Sequence, residues 1–243
     1  MRASLWAAVA IGASGCGNIL GIDDVTAAYD GGGGGDAVVG NTPIKFHGNL
    51  QGTDGFQMGA LGGATISFYL ENGSFVKTAD ANASGDYELD VMVDVPVDGY
   101  FKIEQTGFPD LYDHLLIPVD HDVEVDALDW THDGIDSFAQ LDSESQPAGT
   151  GWVVFNVVDS DGAAVGNAGI SATTTGGAAH ICVTNPKGGP NCETNVTFSD
   201  GIGYIFAVPT GSVTGMATSS GNVAQYSFDV IAGTSVFAPL RLP

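Results

Sequence analysis

The chain has 243 residues, 36 of them glycine; only 14% are charged, and 29 acidic against 6 basic residues give a formal net charge of −23. That length allows one or two domains. The acidic field argues against nucleic acid and anionic membrane surfaces as partners, because affinity for phosphate backbones comes mainly from Lys and Arg displacing counterions. Calcium, cationic peptides and neutral glycans stay open, as does acidity that only keeps an exported protein in solution.

At the N-terminus, Arg2 precedes a short apolar run, Leu5 to Ile11, and small residues at Ala13, Ser14 and Gly15 lead to Cys16. The run is too short to span a bilayer, so residues 1-15 read as a signal peptide. Ala13-Ser14-Gly15-Cys16 resembles the lipobox of bacterial lipoprotein precursors, with Ala13 where that family usually has leucine. The resemblance implies that Cys16 carries lipid, becomes the mature N-terminus and provides the contact with the membrane. Gly17 stands where many inner-membrane lipoproteins have aspartate, which implies the outer membrane or cell surface. An ordinary secretory signal cut at the same bond is the alternative, and it leaves Cys16 without a role.

Residues 16-41 read as a Gly-rich tether. Asp30-Gly31-Gly32-Gly33-Gly34-Gly35-Asp36 cannot build a core. A flexible chain of this length has an r.m.s. span of roughly 25–30 Å. Residues 42-130 read as a first β-domain, with strands at Ile44 to Leu50, Ala64 to Leu70, Asp86 to Val93, Tyr100 to Gln105 and Val119 to Leu128. In the last, Val119, His121, Val123, Val125 and Ala127 alternate with four acidic residues, as in a strand with one side in water. Residues 131-151 read as a short helix and linker: Ile135, Phe138, Ala139 and Leu141 have helical spacing, and Asp133 is placed to cap the start. Residues 152-243 read as a second β-domain. Its strands are Trp152 to Val158, Gly169 to Thr173, His180 to Val183, Glu193 to Phe198, Tyr204 to Val208, Ser212 to Ala217, Ala224 to Val230 and Ser235 to Leu240. Many short strands between turn signals indicate a sandwich or barrel.

The two β-domains carry the same pattern. Leu61-Gly62-Gly63-Ala64-Thr65-Ile66-Ser67 matches Val165-Gly166-Asn167-Ala168-Gly169-Ile170-Ser171. Ser84-Gly85-Asp86-Tyr87 matches Asp200-Gly201-Ile202-Gly203-Tyr204, and Val-Pro follows in both copies, at Val95-Pro96 and Val208-Pro209. The offset grows between the Leu61/Val165 and Tyr87/Tyr204 pairs, so the second copy holds extra residues there. Those residues include Cys182 and Cys192, which flank a stretch rich in Pro, Gly and Asn that turns back on itself. With Cys16 lipidated, these two remain as a pair. A hairpin brings facing residues near disulfide range, and an exported protein keeps such a bond. The rival is a two-cysteine metal site with His180, whose spacing does not suit a zinc knuckle and whose other ligands are not evident.

Both halves resemble the carboxypeptidase regulatory-like domain, a prealbumin-type β-sandwich. The resemblance rests on Asp159 to Gly162, Val165 to Ile170, Ser199 to Tyr204 and Pro209-Thr210-Gly211 in the second half, and on Leu61 to Ile66, Asn82 to Tyr87 and Val95 to Tyr100 in the first. It implies an all-β chain: two tandem small antiparallel Greek-key sandwiches after a flexible N-terminal tether. It also implies attachment, spacing or ligand binding, without catalysis or a cofactor. The fold's enzymatic relative, which hydrolyses a purine-breakdown product, ends in Tyr-Arg-Gly-Ser, whereas this chain ends Leu240-Arg241-Leu242-Pro243.

Catalytic motifs fail on geometry. His121 and Glu124 match a His-x-x-Glu step, but on a strand residues three apart face opposite ways. A calcium loop opening at Asp80 would need glutamate at its twelfth position, where Val91 stands. His114, His121 and His132 lie among acidic residues, which read as solvated surface. The sequence thus points to a non-catalytic, surface-anchored lipoprotein acting in adhesion, scaffolding or ligand presentation, with an envelope protein or glycan as partner. The alternative is a carbohydrate-binding module with Trp130, Trp152, Tyr100 and Tyr112 as its platform.

Overall fold

The computed structural model describes residues 41–243 apart from 56, 95, 116, 117 and 161. Cys16, the signal peptide and all of the tether but its last residue lie outside the described residues. The described chain is all-β, two sandwiches in tandem with one short helix between them.

The first sandwich contains β1 (Thr42–Thr53), β2 (Met58–Ala60), β3 (Thr65–Leu70), β4 (Phe75–Asp80), β5 (Asp86–Val93), β6 (Gly99–Glu104), β7 (Asp110–His114), β8 (Val123–Glu124) and β9 (Ala127–Trp130). One layer is built on β1, which pairs with β2 and β5 antiparallel and with β8 and β9 parallel. The other layer runs β4-β3-β6-β7. Strict alternation in β5 sends Tyr87, Leu89, Val91 and Val93 inward and leaves Asp86, Glu88, Asp90 and Met92 in water. The inward set meets Phe46, Phe68 and Phe101, whose rings lie 4.9–5.1 Å apart.

Helix α1 (His132–Ala139) follows, closed by a 3-10 turn at Gln140–Asp142. Its cap is Thr131, not Asp133: the Thr131 hydroxyl accepts from the Gly134 amide at 3.1 Å. The second sandwich contains β10 (Gly151–Val158), β11 (Gly169–Thr174), β12 (Gly177–Ala178), β13 (Cys182–Thr184), β14 (Pro190–Asn191), β15 (Ile202–Val208), β16 (Gly211–Ser219), β17 (Asn222–Val230) and β18 (Thr234–Arg241). One of its layers runs β12-β11-β16-β17.

Its other layer does not end at the domain border. β18 pairs parallel with β10 and, through Thr234 to Phe237, parallel with Asp110 to Asp113 of β7. One nine-stranded sheet, β14-β13-β15-β10-β18-β7-β6-β3-β4, therefore crosses both domains. The two cores lie on opposite faces of it. Leu111 of β7 points into the first core, while Tyr112 beside it packs against the second, with Val236, Ala238 and Leu240 of β18. Trp152, Tyr204 and Phe206 face the other way and are covered by Ile135 and Ala139 of α1.

The duplication is visible in hydrogen bonds. Leu50 donates to the Gly85 carbonyl at 2.8 Å and accepts from the Leu61 amide; Val157 donates to the Gly201 carbonyl at 2.8 Å and accepts from the Val165 amide. Gly85 and Gly201 both have positive φ, and a Cβ on either would stand 2.3–2.4 Å from a carbonyl oxygen of the facing strand. Tyr87 and Tyr204, however, are not equivalent. Tyr87 faces Gly48 inside the first core, whereas Tyr204 faces α1 on the outside of its sheet. The shared element is the glycine turn, and the tyrosine is one residue out of step.

Two strand expectations change, and two strands appear that were not expected. Val119 to Leu128 is no continuous strand, because the Asp122 and Asp126 carboxylates accept from the Lys45 and Asn49 amides of β1 and replace ladder bonds. Glu193 to Phe198 is irregular and lies along β11, bonded through Asn195 and Thr197. The strands β4 and β7 appear where the sequence is short and polar.

Candidate functional site at the domain junction

Where the two sandwiches meet, a cluster of buried and half-buried ionisable groups lies between them. On one face of the shared sheet, the Tyr226 hydroxyl of β17 donates to Glu71 Oε1 at 3.0 Å and lies 2.6 Å from His114 Nδ1. A phenol has one proton, and a carboxylate only accepts. The proton of Tyr226 therefore points at Glu71, and His114 Nδ1–H donates to the phenol oxygen. Glu71 Oε2 and Asp98 Oδ1 are buried without a hydrogen-bond partner. Burial, and then the Glu71 charge, pushes the Asp98 carboxyl up to about 7. The Tyr226 phenol is driven far upward, by burial first and by Glu71 second. These residues form a clasp: a side chain of the second sandwich closes over a carboxylate and an imidazole of the first.

Beside the clasp an aromatic row crosses strands β4, β3, β6 and β7. Phe75 and Tyr69 are 5.6 Å apart, Tyr69 and Tyr100 stack at 5.3 Å and 7°, and Tyr100 stands 6.1 Å from Tyr112 and 5.1 Å from His114. Next to Tyr112 a groove of about 510 Å³ is lined by Lys102, Phe108, Asp110, His132 and Thr234. Lys102 is held by Glu104 at 2.7 Å and Asp110 at 3.0 Å. Burial of the Lys102 ammonium works against its charge, but those two carboxylates outweigh it and raise its pKa.

On the opposite face, Trp130 of the first sandwich meets Trp152 edge to face at 6.1 Å, with Phe138 of α1 at 5.4 Å. Tyr204 adds a hydroxyl contact to Thr184 Oγ1 at 3.1 Å, and burial pushes its phenol up to about 12. Two further carboxyls, Asp113 and Asp129, are buried and pushed up to about 7, both mainly by desolvation.

The four expected platform residues thus divide between the two faces. Trp152 and Tyr100 are buried, and Trp130 and Tyr112 are half-buried. They share no exposed surface. Tyr69 and Tyr100 also spend their ring faces on each other, which leaves less for a sugar to stack on. Cys182 and Cys192 form the expected disulfide. His114, His121 and His132 do not converge: His114 is in the clasp, His121 is exposed beside Asp120, and His132 opens α1. Glu71, Asp98 and Tyr226 escaped sequence reading. Nothing in an acidic chain marks one glutamate, and Tyr226 reaches it across 155 residues.

No protein-family model matches the chain, and no curated protein does. Solved structures similar to it include the Bacillus anthracis TIE protein, at 13% identity and a TM-score of 0.27, covering 83% of this chain and 34% of that one. The shaft pilin SpaA of Lactobacillus rhamnosus GG matches at 13% and 0.27, covering 83% and 98%. The minor pilin GBS52 of Streptococcus agalactiae matches at 9% and 0.31, covering 83% and 95%. Likeness at this level carries no argument about what the chain does.

Proposed function

We propose that the chain is a non-catalytic, surface-anchored lipoprotein whose two sandwiches act as one stiff body for adhesion, scaffolding or ligand presentation. The carrying observation is the nine-stranded sheet that runs through both domains. Domains in one chain move against each other by default unless their interface is large and apolar. Here the border is crossed by a strand ladder, sealed by the clasp on one face and by the Trp130–Trp152 cluster on the other. Nine strands at the usual spacing give a body about 40 Å across. On a tether anchored at Cys16 it would stand clear of a lipid surface.

Mass spectrometry of the envelope-purified protein tests the anchor, with lipid on Cys16 expected. An unmodified Cys16, or a Cys16→Ala protein that stays membrane-bound, contradicts it. A glycan array probed with the tether-free body tests the adhesive role. Selective glycan binding that is lost on Tyr112→Ala would replace scaffolding with carbohydrate recognition.

A further inference from the structure

We propose that the hairpin closed by Cys182 and Cys192 becomes a zinc site when its disulfide is reduced, with Glu144 as the third ligand. The Glu144 carboxylate and both sulfurs lie within 4.8 Å of one another, and among the described residues no other group of three metal-binding side chains comes so close. Two thiolates and a carboxylate are a donor set that suits Zn²⁺. Sequence spacing sets aside a metal site of the two cysteines with His180; the fold brings Glu144 to the sulfurs from the segment after α1. His180 takes a supporting place, with Nδ1 3.0 Å from Glu144 Oε1 and Nε2 3.1 Å from the Cys192 carbonyl. A hydrogen-bonded partner of this kind orients a ligating carboxylate.

Each ligand is held by contacts that do not need the S–S bond. Cys182 is paired with Tyr204 in the sheet. The Cys192 amide donates to the Asp142 carboxylate. The Glu144 amide donates to the Ala139 carbonyl at 3.1 Å. Reduction therefore frees two sulfurs inside a frame that stays assembled. A tetrahedral zinc asks them to part to about 3.7 Å, each about 2.3 Å from the metal. Cys182 is buried, whereas Cys192 and Glu144 are half-exposed. The metal thus has an entry path and a fourth position open to water. The chemistry balances as follows. A dithiol gives two electrons and two protons to the S–S bond and ends as a disulfide itself; Cys182 and Cys192 become thiols; Zn²⁺ then displaces both protons to solvent.

The test uses the full chain carrying Cys16→Ser, so that Cys182 and Cys192 are its only thiols. It is reduced with a dithiol, desalted without oxygen, and titrated with Co²⁺ and then with Zn²⁺ against a chromogenic chelator. The reduced chain should bind one equivalent, with a sulfur-to-cobalt charge-transfer band and tetrahedral d–d bands, and the disulfide form should show neither. Glu144→Gln should weaken zinc by about tenfold or more while the charge-transfer band persists, and His180→Gln by about tenfold. Zinc should also raise the melting midpoint of the reduced chain and not of the oxidised one. No charge-transfer band, equal affinity in Glu144→Gln, or a melting midpoint of the reduced chain that zinc leaves unchanged would each overturn the proposal.

Discussion

Replacing Tyr226 with phenylalanine removes one oxygen and leaves the ring. That oxygen donates to Glu71 Oε1 at 3.0 Å and accepts from His114 at 2.6 Å. Glu71 Oε2 already has no hydrogen-bond partner, with His114 Nδ1 3.9 Å away, and the Glu71 side chain is only 12% exposed. In the variant Glu71 Oε1 loses its donor, and the carboxylate keeps only the 3.9 Å approach of His114 Nδ1. Stranding a buried acceptor costs about 1–3 kcal/mol, and a charged one falls at or beyond the upper end. We expect Tyr226→Phe to lose about 3 kcal/mol. At roughly 2–4 °C per kcal/mol for a chain of this size, the melting midpoint should fall by about 6–12 °C. Adding Glu71→Gln removes the charge and should restore about half of the loss. Urea unfolding of the four proteins in this double-mutant cycle reads both numbers. A Tyr226→Phe protein within about 0.5 kcal/mol of the parent behaves as a surface substitution and refutes the clasp. So does a loss that Glu71→Gln leaves untouched.

The buried carboxyls set a pH dependence. Asp98, Asp113 and Asp129 are raised from 3.8 to about 7 in the folded chain, so folding takes up protons. The stability they contribute is complete below about pH 4 and is lost as pH rises through 7. Urea midpoints should therefore fall from pH 5 to pH 8, and Asp113→Asn should flatten that slope; midpoints that rise over this range would contradict the burial of these groups. Gly48→Ala places a methyl 2.0 Å from the Val125 carbonyl oxygen, on the strand where β8 and β9 attach. It should cost about 2–3 kcal/mol by overpacking, read as a lower urea midpoint. Replacing Cys182 and Cys192 together with serine should cost about 2–3 kcal/mol through the freed loop, with the first sandwich's hydrogen exchange unchanged.

Much of the architecture was legible because it rests on local rules. Alternation fixed β5 and its inward residues, and the turn glycines at Gly85 and Gly201 exposed the duplication. The disulfide followed from two cysteines around a Pro-Gly-Asn turn. Elements set by distant partners were hidden. β7 is short and charged, yet it is central, because β18 of the other sandwich pairs with it. Val119 to Leu128 alternates like a strand, but the carboxylates of Asp122 and Asp126 take bonds that a ladder would use. The aromatic candidates, offered as an alternative platform, lie buried or half-buried on two faces of the sheet. Trp130 and Trp152 meet because α1 folds the chain back over the sheet, a contact that periodicity cannot report.

The central claim is that the two sandwiches form one stiff unit. The most direct measurement is the distance distribution between spin labels on exposed positions of each domain, Ser84→Cys in the first and Val223→Cys in the second, with the native disulfide intact and Cys16 replaced by serine. A shared sheet predicts one narrow distribution at pH 7, unchanged by viscosity or by dilution. A broad or double distribution in the parent protein would mean that the sandwiches move as separate bodies, and would contradict the account.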